Sequence, residues 1–119
     1  MNYDLTSRTP GEALWLARQT ANQTSRQAAR AAGMGKGRYH AAESDRGPIP
    51  RGLRGLQAKK VPLPILLALA RRRSGLGLAG TALALKTSRV TVHAWEAAGD
   101  ERLIHFWQKK GFTFGSRTG

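Results

Sequence analysis

The sequence predicts an all-α chain of two tandem modules, each of four to five short helices, with room for one short C-terminal strand. Three observations carry that expectation. At an offset of 53 the chain repeats itself, residues 14–43 aligning with residues 67–96 without a gap. Apolar residues recur at helical spacing between capping residues and glycine stops. A length of 119 residues suits one or two small domains and excludes most large enzyme architectures.

The aligned stretch is identical at Leu14/Leu67, Leu16/Leu69, Ala17/Ala70, Arg18/Arg71, Ala29/Ala82, Ala31/Ala84, His40/His93, Ala41/Ala94 and Glu43/Glu96. Nine of thirty positions agree, where so Ala-, Arg- and Leu-rich a chain gives roughly three by chance. A pair of amphipathic helices alone does not keep register across the breaks at Asn22–Thr24, Gly33, Gly75–Gly77 and Lys86–Thr87. The reading is therefore a duplicated module, with the first copy in 1–60 and the second in 61–119.

In the first copy, Glu12–Ala21 is apolar at Ala13, Leu14, Leu16 and Ala17 and forms the first helix. Thr24 or Ser25 caps a second helix that stops at Gly33, and a third runs from Lys36 to about Ser44. Arg46–Lys60, with five bases, no acid, two prolines and three glycines, is part linker and part fourth helix. In the second copy Pro64 stands in the first turn of a helix reaching about Arg73, Gly77–Leu85 forms the next, and Ser88 caps Arg89–Ala97 ahead of Gly99. Asp100–Lys110 closes the series, with acids at its N-terminus, bases at its C-terminus and Gly111 as stop. Phe112-Thr113-Phe114 supplies the short strand.

Charge points to the partner. Twenty Lys+Arg against seven Asp+Glu give +13 and a pI near 11.6, a field that attracts polyanions. Both copies share it, with eleven bases against four acids in 1–60 and nine against three in 61–119. The absence of cysteine removes disulfide frameworks, thiolate metal sites and cysteine nucleophiles, and favours an intracellular setting. The longest apolar run, Val61 to Ala70, is half a bilayer span, holds two prolines and runs into Arg71-Arg72-Arg73, so no membrane crossing is expected. Residues 1–10 lack the apolar stretch of a secretory signal. No two of His40, His93 and His105 stand at ligand spacing from one another, and neither a phosphate loop nor a Ser/His/Asp set is present. No metal, no cofactor and no enzymatic activity are therefore expected.

Thr81-Ala-Leu-Ala-Leu-Lys-Thr-Ser-Arg-Val-Thr-Val-His-Ala-Trp-Glu-Ala-Ala-Gly99 resembles the helix-turn-helix of the Cro/C1-type repressor (XRE) family. Gly33-Met-Gly-Lys-Gly-Arg-Tyr-His-Ala-Ala-Glu43 is similar to the turn and recognition helix of the same family. Members often pair an Arg near the end of the first helix with a Glu at the end of the third. Here Arg18 and Glu43, and again Arg71 and Glu96, are 25 residues apart, which implies two structural ion pairs. The resemblance implies two tandem helix-turn-helix modules that lay their recognition helices in the major groove of double-stranded DNA. It also implies a cytoplasmic, nucleoid-associated protein of a bacterium, phage or mobile element.

The base-reading candidates are Lys36, Arg38 and His40 in the first copy, and Ser88, Arg89, Val90, Thr91 and His93 in the second. An Arg grips guanine O6 and N7 with two hydrogen bonds, and Val or Thr touches a thymine methyl. Ser25, Arg26, Arg30, Arg46, Arg51, Arg54, Lys59 and Lys60 are the phosphate-binding candidates. Two departures from the family stand out. Its second-helix Gln is replaced by Ser25 and Leu78, and the turn glycine kept as Gly33 becomes Lys86, which calls for either a side chain in a left-handed conformation or a slightly different turn. The first copy also has small core residues, Ala28, Ala32 and Ala42 standing where the second has Thr81, Leu85 and Trp95, so it leans on Trp15, Met34 and Tyr39 or on its neighbour. Val92 and Trp95 are expected to face the core.

Sequence-specific regulation is the leading function. Two alternatives stay open: an adaptor, antiactivator or polymerase-contacting factor with one module on DNA and the other on RNA polymerase or a regulator protein, and a sequence-neutral nucleic-acid-packing protein. Residues 100–110, with Leu103, Ile104, Phe106 and Trp107, are apolar enough to suggest a homodimer contact.

Overall fold

The computed structural model describes residues 3–53 and 61–114. These form seven α-helices: α1 (Pro10–Thr20), α2 (Ser25–Ala31), α3 (Lys36–Glu43), α4 (Leu63–Ser74), α5 (Gly77–Ala84), α6 (Arg89–Ala98) and α7 (Glu101–Lys109). A single 3-10 turn lies at Arg51–Leu53, and no strand occurs among the described residues. The all-α class is therefore the observed one.

Capping chemistry fixes the helix starts. Thr9 accepts from the Glu12 amide and Glu12 returns a bond to the Thr9 amide, so α1 begins two residues before its expected start, with Pro10 in its first turn. Thr24 and Gln27 form the same reciprocal box on α2. Ser88 caps α6 and Asp100 caps α7 through their side-chain oxygens.

The chain divides into two compact units, Arg8–Val61 and Met1–Ser7 with Pro62–Gly119. The division expected from the sequence, 1–60 and 61–119, differs chiefly in the N-terminal segment, which belongs to the second unit. Leu5 is fully buried there. Its amide donates to the Thr113 carbonyl at 3.0 Å and the Thr113 amide donates to the Tyr3 carbonyl at 2.8 Å. Tyr3 meets Phe112 edge-on at 5.1 Å, and the Arg73 guanidinium donates to the carbonyls of Asp4 and Ser7 at 2.8 and 2.6 Å. Extended backbone of this kind needs partners for its amides, and helical periodicity gives no sign of it. The expected C-terminal strand is accordingly a correction: residues 112–114 make one isolated parallel bridge, Asp4 to Thr113, and no strand.

Among the described residues the first unit has three α-helices and the 3-10 turn. Its core is Leu14, Ala28, Ala29, Tyr39 and Ala42, with Ala32, Met34, Ile49 and Leu53 packed against it. Of the fourth helix expected within 46–60, the described part contains only that 3-10 turn, and residues 54–60 lie outside the described residues. The second unit has four α-helices, α4 touching α5, α6 and α7. Leu67, Leu69, Val92, Leu103 and Trp107 are its fully buried anchors.

Candidate nucleic-acid interface

The 53-residue repeat extends from sequence to backbone hydrogen bonds. After α2 the Ala32 amide donates to Ala28, Gly33 to Arg30 and Met34 to Ala29. After α5 the Leu85 amide donates to Thr81, Lys86 to Leu83 and Thr87 to Ala82, residue for residue the same pattern. Both turns pass through a left-handed residue, Gly33 at φ 67° and Lys86 at φ 57°. Of the two alternatives at 86, the left-handed side chain is thus the one present, at the cost of local strain that Gly33 avoids.

A partly buried ion pair holds each third helix to its first. Arg18 Nε donates to Glu43 Oε2 at 2.6 Å and Nη2 to Oε1 at 3.2 Å. Arg71 repeats this on Glu96 at 2.8 and 3.1 Å. Glu43 is 3% exposed and Glu96 12%, so the first pair is the drier one. Two parallel N–H···O bonds fix orientation as well as distance, and α1 and α4 thereby set the roll of α3 and α6. Glu43 carries a second partner, the Tyr39 hydroxyl. Burial first, then the Glu43 charge, push the Tyr39 phenol up to about 12 even though Arg18 opposes the shift.

With that face clamped inward, the opposite face points out. On α3, Tyr39, Ala42 and Glu43 are buried while Lys36, Gly37, Arg38 and His40 are exposed. On α6, Val92 and Glu96 are buried, whereas Arg89, Val90 and His93 are exposed, Val90 at 79%. Thr91 is half-buried. Ser88 and Thr91 are engaged with one another, the Ser88 Oγ accepting from the Thr91 amide at 3.2 Å and lying 2.9 Å from its hydroxyl. They shape the start of α6, and Arg89, Val90 and His93 form its free edge.

Among the phosphate candidates, Arg26 and Arg30 are exposed on α2, Ser25 is half-buried at its first turn, and Arg46 and Arg51 are exposed beyond α3. Arg54, Lys59 and Lys60 lie outside the described residues. The second unit differs, since α5 has no charged residue at all.

Three features escaped the sequence reading. Asp45, left-handed at φ 59°, accepts from the Gly11 amide at 2.8 Å and from the Thr9 hydroxyl, joining the end of α3 to the start of α1. The Tyr39–Glu43 bond is the second. The third concerns Trp95, which is half-buried rather than wholly in the core: the Arg102 guanidinium stacks 4.1 Å over its ring. Arg102 is held there by two bonds to Asp100, 2.9 and 2.7 Å, and the same bonds lower the Asp100 carboxyl to about 2.

The three histidines are exposed, and no group of three His, Cys, Asp or Glu suited to a metal ion occurs among the described residues. No helix among them is long and apolar enough to cross a membrane. Comparison with family models, curated proteins and solved structures returned no match for this chain.

Proposed function

We propose that the chain is a sequence-specific regulator of the Cro/C1 type, binding double-stranded DNA with two tandem helix-turn-helix modules in the cytoplasm of a bacterium or its mobile elements. One observation carries the reading. The same three-helix frame occurs twice, each time with its third helix clamped inward by a partly buried Arg–Glu pair and its opposite face turned to solvent with basic residues. That is the presentation a recognition helix needs to enter the major groove. In the first module Lys36, Arg38 and His40 meet the groove while Arg26, Arg30, Arg46 and Arg51 meet phosphates. The second offers Arg89 for guanine and Val90 for a thymine methyl.

Two unlike faces on one chain fit an asymmetric site rather than a palindrome. A second reading has one supporting observation: α5 offers no charge to phosphate, which suits a module that docks protein while the first holds DNA.

Titration of duplex binding against salt, repeated with Arg89→Ala and with Lys36→Ala/Arg38→Ala, separates the two. If both modules read DNA, Arg89→Ala weakens binding by ~1–3 kcal/mol and relaxes preference at one base pair, and each lost phosphate contact flattens the salt slope by about one. Unchanged affinity in Arg89→Ala, with binding abolished in the double variant, assigns the second module to protein.

A further inference from the structure

We propose that the cleft between α5 and α6 of the second unit reads a pyrimidine C5-methyl group beside the guanine gripped by Arg89, so that cytosine methylation there strengthens binding. The inference rests on the DNA-reading role proposed for this unit and names the base step it selects. Leu78, Arg89, Val90 and His93 line one surface cleft of about 280 Å³. His93 follows Arg89 by four residues and Val90 by three, so the three side chains share one patch of α6. Leu78, in the first turn of α5, forms the wall contributed by the other helix.

Leu78 is the residue that a phosphate contact does not explain. At the offset of 53 its counterpart is Ser25, which offers a hydroxyl in the first turn of α2. A leucine offers a phosphate no donor, and core packing leaves it half-buried. Val90, in the same lining, is 79% exposed. Two aliphatic side chains therefore share a cleft with the exposed Arg89 guanidinium.

Each group answers to one part of a base-pair step. The Arg89 fork matches guanine O6 and N7, and aliphatic carbon matches the C5-methyl, the apolar group on the major-groove edge. Arg89 and Val90 are consecutive, so their targets are neighbouring base pairs. Thymine and 5-methylcytosine carry that methyl and cytosine does not. The two methylated bases differ beside it, thymine presenting the O4 acceptor and 5-methylcytosine the N4 donor. A neutral imidazole has one donor and one acceptor nitrogen, so His93 suits either base and the methyl decides. Charge draws any polyanion to this surface, and the aliphatic wall adds the preference for a methylated edge.

Selection from three random duplex pools at ~150 mM salt, where purely electrostatic binding is weakened, tests this: ordinary DNA, DNA with deoxyuridine for thymidine, and DNA with 5-methylcytosine for cytosine. The ordinary pool is expected to enrich a thymine beside the guanine whose preference Arg89→Ala erases. The uridine pool is expected to lose the preference at that neighbour, and the methylated pool to accept 5-methylcytosine there as well as thymine. In titrations of the selected duplex, replacing that thymine by uracil is expected to weaken binding about fourfold, the worth of one buried methyl carbon. The thymine-to-uracil affinity ratio should fall towards one in Leu78→Ala and in Val90→Ala, and a ratio taken within one protein is insensitive to any loss of stability. Enriched boxes with equal affinity for thymine and uracil, or a ratio unmoved in both variants, overturn the cleft's assignment and leave the DNA-reading role standing. Boxes that Arg89→Ala leaves untouched overturn that role for the second unit, and the cleft's assignment with it.

Discussion

The two units solve one problem with different residues. Each must hold a third helix against a first, and both bury the paired leucines Leu14/Leu67 and Leu16/Leu69, yet the second adds Leu103 and Trp107 of α7, and the first has alanine at 28 and 42 where the second has Thr81 and Trp95. The first unit compensates with polar chemistry. Tyr39 fills the space and bonds Glu43, Glu43 takes a bidentate grip from Arg18, and Asp45 ties α3 back to the start of α1. The grip recurs in the second unit as Arg71 on Glu96, but the Tyr39 bond and the Asp45 tie do not, their counterparts being Val92 and Ala98. A duplicated frame thus keeps its Arg–Glu clamp while the surrounding contacts drift from polar to apolar. The consequence is that the first unit depends on its clamp more than the second does.

Deleting the carboxylate breaks that comparison most directly. Glu43→Ala leaves Arg18 buried and Tyr39 without an acceptor, and is expected to destabilise the first unit by about 3–5 kcal/mol. Glu96→Ala, at a wetter pair with no tyrosine, should cost the second unit about 2 kcal/mol. Urea unfolding followed by resolved amide signals from each unit distinguishes them, and equal losses refute the asymmetry.

Next in size is Gly11→Ala. A Cβ at Gly11 would stand 2.7 Å from the carbonyl oxygens of Ala42 and Glu43, so α1 and α3 must separate, at about 2 kcal/mol. The second unit has Pro64 at the equivalent position, so the effect is confined to the first, as its melting curve will show.

The turns give a smaller and opposite pair. Lys86→Gly relieves a left-handed side chain and should stabilise the second unit by up to about 1 kcal/mol, while Gly33→Ala should destabilise the first by a similar amount. Matching signs in thermal unfolding would mean the two turns are not equivalent.

The smallest effect is a pH signature. Tyr39 is raised from its ordinary 10 to about 12, so the folded state favours the neutral phenol. That contribution is complete below about pH 10 and is lost as pH rises towards 12. The first unit should therefore lose stability over that interval in a step that Tyr39→Phe removes, measured as the difference between the two proteins in denaturant titrations. No step is expected from position 92, a valine.

Much of this was legible in the sequence because it is local or periodic. The cap at Ser88, the choice of Thr24 or Ser25 before α2, the glycine stops and a turn repeated at fixed offset are short-range chemistry, and the family resemblance, met twice at the same 25-residue spacing, implied both Arg–Glu pairs. What escaped reading is long-range. Nothing in residues 3–7 signals that Leu5 will be buried beside Thr113, since the bond is backbone to backbone and 108 positions away along the chain. Ile49 and Leu53 look like linker, yet they cover the alanine-rich core. The outward faces of α3 and α6 were legible as periodicity, whereas the Arg102 stack on Trp95 depends on how α7 meets α6.

The central claim is that both units read DNA, and selection of bound duplexes from a random pool at ~150 mM salt, where purely electrostatic binding is weakened, tests it most directly. Two unlike boxes are the expected result, with Arg89→Ala erasing preference in one and Lys36→Ala/Arg38→Ala in the other. Binding without any enriched sequence would contradict it and leave general nucleic-acid packing in its place.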